Sequence, residues 1–345
     1  MFYVTPHIIM NKKNKVPCYP DFIPLSLDLK DELHPRLSLT HDGVSEFTFA
    51  GLYLFRERYN YRISRFYDNY NNGENGSNHL LSSGGFIISG EQKSADLDAG
   101  GVNEEVNEGV NKKVKKFFMT PCAAPDWETL ASLFATHDYW KNISESVLTP
   151  VREEFESRTG RKIIFTEDRD NFDYLYYRND LAQLPGKKFH KKKNHVNNFL
   201  NNYPDNEQKP LNAETIPAAV EVLEIWRQNS VLRDDGDYKA AKEALDLFKT
   251  LPLKGTVFFV NKKPAGYCSG ESIARGRMFA IHFEKAIDEY KGIYQFVNKS
   301  FASSLPSFFT FINREQDLGD EGLRQAKMTY RPCDFVKKYR GVISG

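Results

Sequence analysis

Residues 169–198 read RDNFDYLYYRNDLAQLPGKKFHKKKNHVNN. The stretch begins with an aromatic segment typical of a β-strand, which the Leu-Pro-Gly sequence ending at Gly186 then breaks. A helix-compatible segment with five lysines and two histidines follows. This change of pattern predicts a division of the chain near residue 185, and it places a dense positive surface near the middle of the sequence.

The composition is that of a globular protein with balanced charge. The chain has 345 residues, 40% hydrophobic and 14% aromatic, with a formal net charge of +1, so it has room for two domains and no overall field that attracts nucleic acid. Its four cysteines form no CxxC pair, which indicates reduced thiols and no metal site. We find no signal-peptide core and no run of about 18 apolar residues, so we expect a cytoplasmic protein without a transmembrane segment.

The order of predicted elements defines the fold class. From residue 186 onward, periodicity and turn residues predict helix, helix, β-hairpin, strand, helix, strand, helix, strand. The first half has a looser version of the same order. Both halves therefore predict an α/β (α+β) protein with mixed strand directions. The best-defined strands of the second half are 256–260, 264–270, 278–285, 308–313 and 330–336, and its clearest helices include 294–302 and 321–328.

Residues 90–113 differ in kind from the rest of the chain. They carry no aromatic residue and no apolar periodicity, which is typical of a disordered surface insertion between two strands, predicted at 85–89 and 116–120. An acidic partner-binding loop is the alternative interpretation.

Four segments that together sample most of the chain resemble one family. They are SEFTFAGLYLFRERYNYRIS (45–64), RDNFDYLYYRNDLAQLPGKKFHKKKNHVNNF (169–199), AIHFEKA (280–286) and FINREQDLGDEGLRQAKMTYRP (311–332). They resemble an uncharacterised bacterial family that shares the C-terminal, cytosolic domain of phosphatidylglycerol lysyltransferase. The resemblance implies two tandem GNAT-like acyltransferase domains with mixed sheets, an N-terminal one at 1–185 and a C-terminal one at 186–345, bridged by a basic helix at 187–201.

The resemblance also implies a type of reaction. In the lysyltransferase this domain moves an aminoacyl group from charged tRNA to a lipid headgroup. We therefore expect an acyltransferase or aminoacyltransferase whose donor is an aminoacyl-tRNA, with acyl-CoA as the second choice. The expected acceptor is an amine or hydroxyl on a small molecule or a lipid headgroup. The glycine-rich pyrophosphate loop of CoA-dependent acetyltransferases is missing, because residues 290–294 (YKGIY) carry a single glycine.

The predicted strand 278–285 contains the candidate catalytic residues. Strand alternation places His282 and Glu284 on one face, with backbones about 7 Å apart. Acylation of an amine needs a base that removes a proton and donors that hold the developing oxyanion. We predict that Glu284, together with His282, is this base. A structural pair without catalytic function is the alternative.

A polar cluster follows the phenylalanine-rich strand 308–313. A cluster at the C-terminal end of a strand lies where α/β folds usually bind ligands. We expect Asn313 and Arg314 to bind an acyl carbonyl or a carboxylate, and Glu315 and Asp317 to bind a substrate amine. Tyr294 is also predicted to bind substrate. A capping network for the helix that starts at Glu321 is the alternative.

The lysine-rich segment is the candidate phosphate-binding surface. Lys188, Lys191 and Lys192 share one side of a helix, and His195 lies a turn further on. We expect these residues to contact phosphates of tRNA or of a cofactor. A solvated helix face is the alternative. The competing function is therefore a non-catalytic binding module of the same fold, which binds RNA or a phosphorylated ligand through this helix.

Overall fold

The computed structural model describes residues 14–67, 84–93, 114–229 and 235–344. Most of the predicted insertion, 94–113, lies outside these residues. Residues 90–93 do not belong to a loop, because they continue the strand that begins at Gly84.

Fourteen strands and eleven α-helices make up the described part of the chain. The strands are β1 (Ile23–Pro24), β2 (Arg62–Tyr67), β3 (Gly84–Lys93), β4 (Val114–Met119), β5 (Tyr139–Ser144), β6 (Ile163–Glu167), β7 (Asp173–Tyr177), β8 (Asn206–Pro210), β9 (Lys254–Val260), β10 (Lys263–Ile273), β11 (Met278–Ala286), β12 (Phe311–Asn313), β13 (Asp334–Val336) and β14 (Lys338–Ile343). The helices are α1 (Lys30–Leu37), α2 (Phe49–Leu54), α3 (Arg56–Tyr59), α4 (Trp127–Thr136), α5 (Glu145–Thr159), α6 (Arg178–Gln183), α7 (His190–Asn202), α8 (Ile216–Asn229), α9 (Asp235–Asp246), α10 (Ile293–Ser304) and α11 (Glu321–Met328).

The strands form two sheets of seven with the same plan. Sheet A has the order β1-β2-β3-β4-β5-β14-β6, and sheet B has the order β8-β9-β10-β11-β12-β7-β13. In each sheet the fourth and fifth strands are parallel and the other pairs are antiparallel. The first half of the chain thus contributes β1–β6 to sheet A and its last strand, β7, to sheet B. The second half contributes β8–β13 to sheet B and its last strand, β14, to sheet A. Because of this exchange, the boundary between the two sheets does not coincide with the predicted domain boundary at residue 185. That 1–185 and 186–345 are independent domains stays a prediction.

The buried side chains form three main clusters, which define the layers. An inner cluster combines residues of both sheets, such as Phe117 and Phe283, with helices α1, α2, α8 and α9. A second cluster lies on the outer face of sheet A under α4 and α5. A third lies on the outer face of sheet B under α6, α7 and α10. The inner cluster is the largest of these, so the two sheets share one core.

A buried ion pair links the two exchanged strands. Asp173 begins β7 and Lys338 begins β14, and their side chains lie 2.6 Å apart with no exposed surface. Asp173 also accepts hydrogen bonds from the backbone N–H of Ser45 and from Asn313. Burial alone would lower the pKa of Lys338, but the neighbouring carboxylates of Asp173 and Glu46 raise it. A buried charge of this kind is tolerated only because it is paired.

Several predicted elements differ from the observed ones. Helix α2 begins at Phe49, where Thr48 provides the cap, whereas the Ser45 hydroxyl bonds to Asp173. Strand β14 has no counterpart in the prediction. The segment 187–201, predicted to bridge the halves, forms a short 3-10 turn and α7. It packs on the outer face of sheet B, because Val196 and Phe199 belong to the third cluster.

Candidate functional site

The parallel pair of sheet B separates after three residue pairs. Strands β11 and β12 are in register from Met278 and Phe311 to Ala280 and Asn313. Beyond this point the chain follows β7, since the N–H of Arg314 donates to the Tyr174 carbonyl. The two strands therefore diverge and leave a gap, which we call the sheet B opening. Divergence of this kind ends the hydrogen-bonded ladder between the two strands, so their backbone groups must find other partners beyond this point.

A β-bulge at the sheet B opening reverses the side-chain alternation of β11. Ser269 pairs with Phe283 and Gly270 with Ile281, so His282 is the extra residue. Only glycine fits opposite it, because a Cβ on Gly270 would lie 1.8 Å from the Ala280 carbonyl oxygen. Ile281 accordingly belongs to the outer cluster and Phe283 to the inner one.

This bulge overturns the prediction that His282 and Glu284 share a strand face. Among the described residues, His282 bonds to Glu271 and Glu315, whereas Glu284 bonds to Asn298 and Arg314. The alternation rule applies only to regular strands.

The outer side of the opening is closed by an ion pair. Arg314 Nη2 lies 3.1 and 3.2 Å from the two carboxylate oxygens of Glu284, and both side chains are largely buried. Asn298 on α10 donates a long hydrogen bond of 3.4 Å to the same carboxylate. The Asn298 Oδ1 atom is buried without a hydrogen-bond partner among the described residues. Glu284 is thus engaged by an arginine, as the structural alternative predicts, and its predicted role as base stays a prediction.

Aromatic rings and a lysine complete the outer side. The guanidinium of Arg314 lies 5.1 Å from the ring centre of Tyr330, and the Lys192 ammonium lies 4.2 Å from it. Burial, together with the positive charge of Arg314, lowers the pKa of Lys192. Tyr294, predicted to bind substrate, donates to the Ala286 carbonyl at 3.3 Å.

The inner side of the opening is closed by a histidine between two carboxylates. His282 Nδ1 lies 2.7 Å from Glu315 and Nε2 lies 3.1 Å from Glu271. Burial alone would lower the pKa of His282, but the hydrogen bonds to Glu271 and Glu315 outweigh it and raise the pKa to about 10. An imidazole in this setting is protonated at neutral pH and does not accept a further proton, so it is unsuited to act as a base.

Two of the predicted substrate-binding residues are fully buried. Asn313 donates to the Gly43 carbonyl and to Asp173, and it accepts from the N–H of Glu315. Asp317 is bound by Arg324, whose hydrogen bonds lower the pKa of that carboxyl against the effect of burial. Both residues fix the loop after β12. Of the four residues predicted there, only Arg314 and Glu315 reach the opening.

Sequence reasoning missed Lys327. Its ammonium is buried and donates to the carbonyl oxygens of Arg314, Glu315 and Gln316. Burial and the charge of Arg314 lower its pKa to about 8. Lys327 thus holds the backbone that presents Arg314 and Glu315. The sequence shows only a lysine in an amphipathic helix, and this pattern does not distinguish a buried lysine from a solvated one.

The predicted phosphate-binding residues have different surroundings. Lys191 and His195 are exposed. Lys188 pairs with Asp180 at 2.7 Å, and Lys192 turns toward Tyr330. The exposed cationic face of α7 and the turn before it therefore consists of Lys187, Lys188, His190, Lys191, Lys193 and His195.

The described residues give no sign of a metal site or a membrane-spanning helix. Within these ranges no group of three or more histidine, cysteine, aspartate or glutamate residues is placed to hold a metal ion. In the same part of the chain, every helix is too short or too polar to cross a bilayer.

The two sheets, each with a diverging parallel pair, define a tandem GNAT-like fold of the transferase type. The family model for the C-terminal domain of phosphatidylglycerol lysyltransferase matches residues 107–341. The chain belongs to this family, and the family resemblance seen in the sequence is confirmed.

Relatives and solved structures agree with this assignment. A conserved protein of unknown function from Bacteroides thetaiotaomicron has a TM-score of 0.73 and 26% identity, covering 94% of this chain and 99% of that one. The C-terminal domain of a putative lysylphosphatidylglycerol synthetase from Agrobacterium fabrum has a TM-score of 0.54 and 10% identity, covering 92% of each chain, and supports the fold alone. An uncharacterised protein of Mycoplasmoides gallisepticum is 26% identical over 184 residues. This match spans 51% of the present chain and 57% of that relative.

Proposed function

We propose that the protein transfers an aminoacyl group from an aminoacyl-tRNA to an amine or hydroxyl acceptor, and that transfer takes place in the sheet B opening. Membership of the family supports a transferase. The geometry of α7 and α10 is the observation that favours a tRNA donor over acyl-CoA.

The N-terminus of α10 is covered by α7. Gly292 precedes α10 with a φ of 89°, and a Cβ at this position would lie 2.6 Å from the His195 carbonyl oxygen. The backbone of α7 therefore lies against the helix end where a pyrophosphate would bind to free amides. A carbonyl oxygen at this place repels a phosphate, and this arrangement disfavours CoA.

The same helix α7 presents its charge to solvent. Lys191 and Lys193 are exposed, and Lys192 continues the positive surface toward the opening. A row of lysines beside a reaction site binds the phosphates of an RNA whose end reaches into that site. A donor anchored by RNA phosphates needs no pyrophosphate loop, in agreement with the single glycine in residues 290–294.

The outer side of the opening supplies groups that suit an aminoacyl ester. The Glu284 carboxylate and the unpartnered Asn298 Oδ1 are acceptors for the ammonium of the aminoacyl group. Arg314 is a donor for its carbonyl oxygen. In this proposal Arg314 leaves Glu284 when the donor binds.

Proton transfer follows from the same arrangement. The acceptor loses a proton to the freed Glu284 carboxylate as its nitrogen or oxygen bonds to the acyl carbon. The ester bond to the terminal ribose oxygen then breaks, and the proton passes to that oxygen. His282, already protonated, holds Glu315 and the loop in place.

A binding module without catalysis is the second candidate function. The observation that favours it is the pairing of both predicted catalytic groups, Glu284 with Arg314 and His282 with Glu271 and Glu315. Paired groups stabilise a fold and need not react.

The test compares two labelled donors with the full chain. The protein is incubated with tRNA charged with a mixture of radiolabelled amino acids, or with labelled acetyl-CoA, and with lipid headgroup or polyamine acceptors. We expect protein-dependent loss of label from tRNA and none from acetyl-CoA. Turnover of acetyl-CoA alone would refute the tRNA donor, and tRNA binding without loss of label would favour the binding module.

Variants of α7 test the role of its charge. Lys191→Gln together with Lys193→Gln removes two exposed charges, so affinity for tRNA should fall and the salt dependence of binding should weaken by roughly one to two counterions. The matched control is Lys249→Gln with Lys254→Gln, two exposed lysines outside α7. Equal loss of affinity in both double variants would show that total charge alone drives binding.

A further inference from the structure

A buried carboxylate of sheet B lies between two imidazoles. Glu271 on β10 is 2% exposed, and its Oε1 accepts a hydrogen bond of 3.1 Å from His282 Nε2. Its other oxygen, Oε2, lies 4.0 Å from Nδ1 of His34 on α1. In the described part of the chain, these two histidines are the ionic partners of Glu271. The carboxylate thus turns one oxygen toward each imidazole.

These groups connect the sheet B opening with solvent. His282 Nδ1 lies 2.7 Å from Glu315, whose side chain is 26% exposed at the opening. At the other end, the side chain of His34 is 33% exposed. His282 and Glu271 are buried between these two ends. The series Glu315, His282, Glu271 and His34, which we call the ionisable row, therefore has a partly exposed group at each end.

The contact between Glu271 and His34 is the one long step of the ionisable row. At 4.0 Å, the distance between Oε2 and Nδ1 exceeds that of a direct hydrogen bond. Because the His34 side chain is partly exposed, a small rotation of its ring or one bridging water closes this gap. The two steps at His282 need no movement, since both are hydrogen bonds already.

A row of this kind passes protons without changing the charge of its histidine. His282 Nδ1 takes a proton from Glu315 as Nε2 gives one to Glu271, so the imidazolium is restored in the same step. Glu271 then gives its proton to His34, which releases it to water. His282 is a poor base because it is already protonated, but a carrier that regains each proton it gives up needs no free site.

Acylation of an ammonium group releases one proton that the products do not hold. The acceptor nitrogen loses two protons, one before it attacks and one as it bonds to the acyl carbon. In the proposed function the second proton passes through Glu284 to the terminal ribose oxygen, so the first must reach solvent. A hydroxyl acceptor loses a single proton, which the ribose oxygen takes up, and therefore needs no such exit.

We propose that the ionisable row is a proton path from the sheet B opening to solvent, and that the acceptor is a protonated amine. Glu315 takes the first proton from the acceptor ammonium, and the other three residues carry it to water. The assignment of the path to amine acylation rests on the proposed function. The path itself exists in the protein without substrate, because all four groups are in place there.

The first experiment measures how fast the imidazole N–H protons of His282 exchange with water, without donor or acceptor. The full chain is labelled with 15N-histidine for NMR, and His282→Gln assigns the signals. His34→Gln removes the last carrier, and Glu271→Gln keeps an acceptor for Nε2–H that carries no proton. Each variant should slow the exchange by roughly tenfold or more, because exchange then needs local opening. Unchanged or faster exchange in His34→Gln would overturn the path.

The sign of the change separates a proton path from a structural contact. Loss of packing opens the site and speeds exchange, whereas loss of a carrier slows it. His41→Gln is the matched control, because His41 is an exposed histidine in the segment that follows α1. It should leave the exchange of His282 unchanged, and slowing equal to that in His34→Gln would overturn the path.

The second experiment compares transfer to putrescine with transfer to its diol analogue. Glu271→Gln should slow transfer to putrescine by about tenfold or more and change transfer to the diol by about twofold or less. Equal slowing with both acceptors would overturn the assignment to a protonated amine. Slowed N–H exchange in a protein that transfers to neither acceptor would support the path and refute the proposed function, so the two failures are distinguishable.

Discussion

The two openings follow one strand plan and differ in the chemistry of their side chains. In sheet B, two ionic contacts cross the gap, Glu284 to Arg314 and His282 to Glu315. In sheet A, the residues beside the gap between β4 and β5 are mostly neutral and polar, apart from Asp42. Trp140 and Asn142 each bury one polar atom that has no hydrogen-bond partner among the described residues. The comparison teaches that topology creates a gap in both sheets, whereas the side chains decide whether ionic contacts cross it.

This difference between the two openings affects the free energy of binding a ligand in each of them. A ligand of the sheet B opening must compete with ion pairs already formed in a largely buried place. In sheet A, the unpaired atoms of Trp140 and Asn142 are buried, so a ligand would reach them only after the surrounding side chains move. We therefore expect sheet B to discriminate strongly among ligands and sheet A to bind weakly.

The largest effect is expected where the two sheets are joined. Lys338→Ala leaves the fully buried Asp173 without its ion pair, so the free energy of unfolding should fall by about 3–5 kcal/mol. Lys337→Ala is the control, because Lys337 is 42% exposed and 3.7 Å from Glu167, and it should change stability by about 0.5 kcal/mol or less. Urea unfolding measures both. Similar values for the two variants would show that the sheets do not depend on this link.

The next largest effect is expected from the ion pair between Glu284 and Arg314, which closes the outer side of the sheet B opening. Glu284→Gln leaves Arg314 buried without its counter-charge and should destabilise the protein by roughly 2–4 kcal/mol. Adding Arg314→Met should restore much of this loss, since both charges are then gone. Aminoacyl transfer should fall by about 10²–10⁴-fold in both variants if Glu284 is the base. Full transfer by the stable double variant would exclude both residues from catalysis.

A pH profile tests the inner side of the same opening. The pKa of His282 in the folded protein, about 10, lies above its ordinary value, so its contribution to stability is complete below pH ~6 and is lost as the pH rises toward 10. The stability difference between wild type and His282→Gln should therefore shrink by roughly 2–4 kcal/mol over this range. Lys327 has a lowered pKa and opposes this trend, but it is common to both proteins. His195→Gln, at an exposed position, should show no such change, and a flat difference for His282→Gln would contradict the pairing.

The smallest change in stability should come from removing the insertion at 94–113. This insertion connects β3 and β4, whereas the corresponding connection between β10 and β11 is the short turn Ala274–Arg277. Lys93 and Val114 are register partners, so a short Gly-Ser turn should replace 94–113 with a change of melting temperature of a few degrees. The composition of the insertion predicts little burial. A loss of more than about ten degrees would show that it packs on the core.

Much of the fold could be predicted from local pattern. The helix Glu321–Met328 and the strand beginning at Met278 agree with the periodicity of apolar residues. Strand β14 could not be predicted, because it completes a sheet whose other strands lie more than 170 residues earlier in the chain. Pairing over such a distance leaves no signal in a local window.

The sequence predicted some of the residues at the candidate site but not how their side chains are arranged. Arg314 and Glu315 do lie at the opening. The bulge at His282 reversed the faces, and a one-residue irregularity of this kind is set by backbone packing around Gly270. Lys327 was missed because its role depends on three backbone carbonyls that tertiary folding brings together.

The exchange of β7 and β14 has a consequence for the order of events during synthesis. Sheet A cannot close until the ribosome has released Lys338–Ile343, because the slot between β5 and β6 stays empty until then. The nascent first half thus carries two unsatisfied strand edges while the second half is being synthesised. A synthetic peptide of sequence KYRGVI, supplied in trans, would be a natural partner for a chain truncated before this strand.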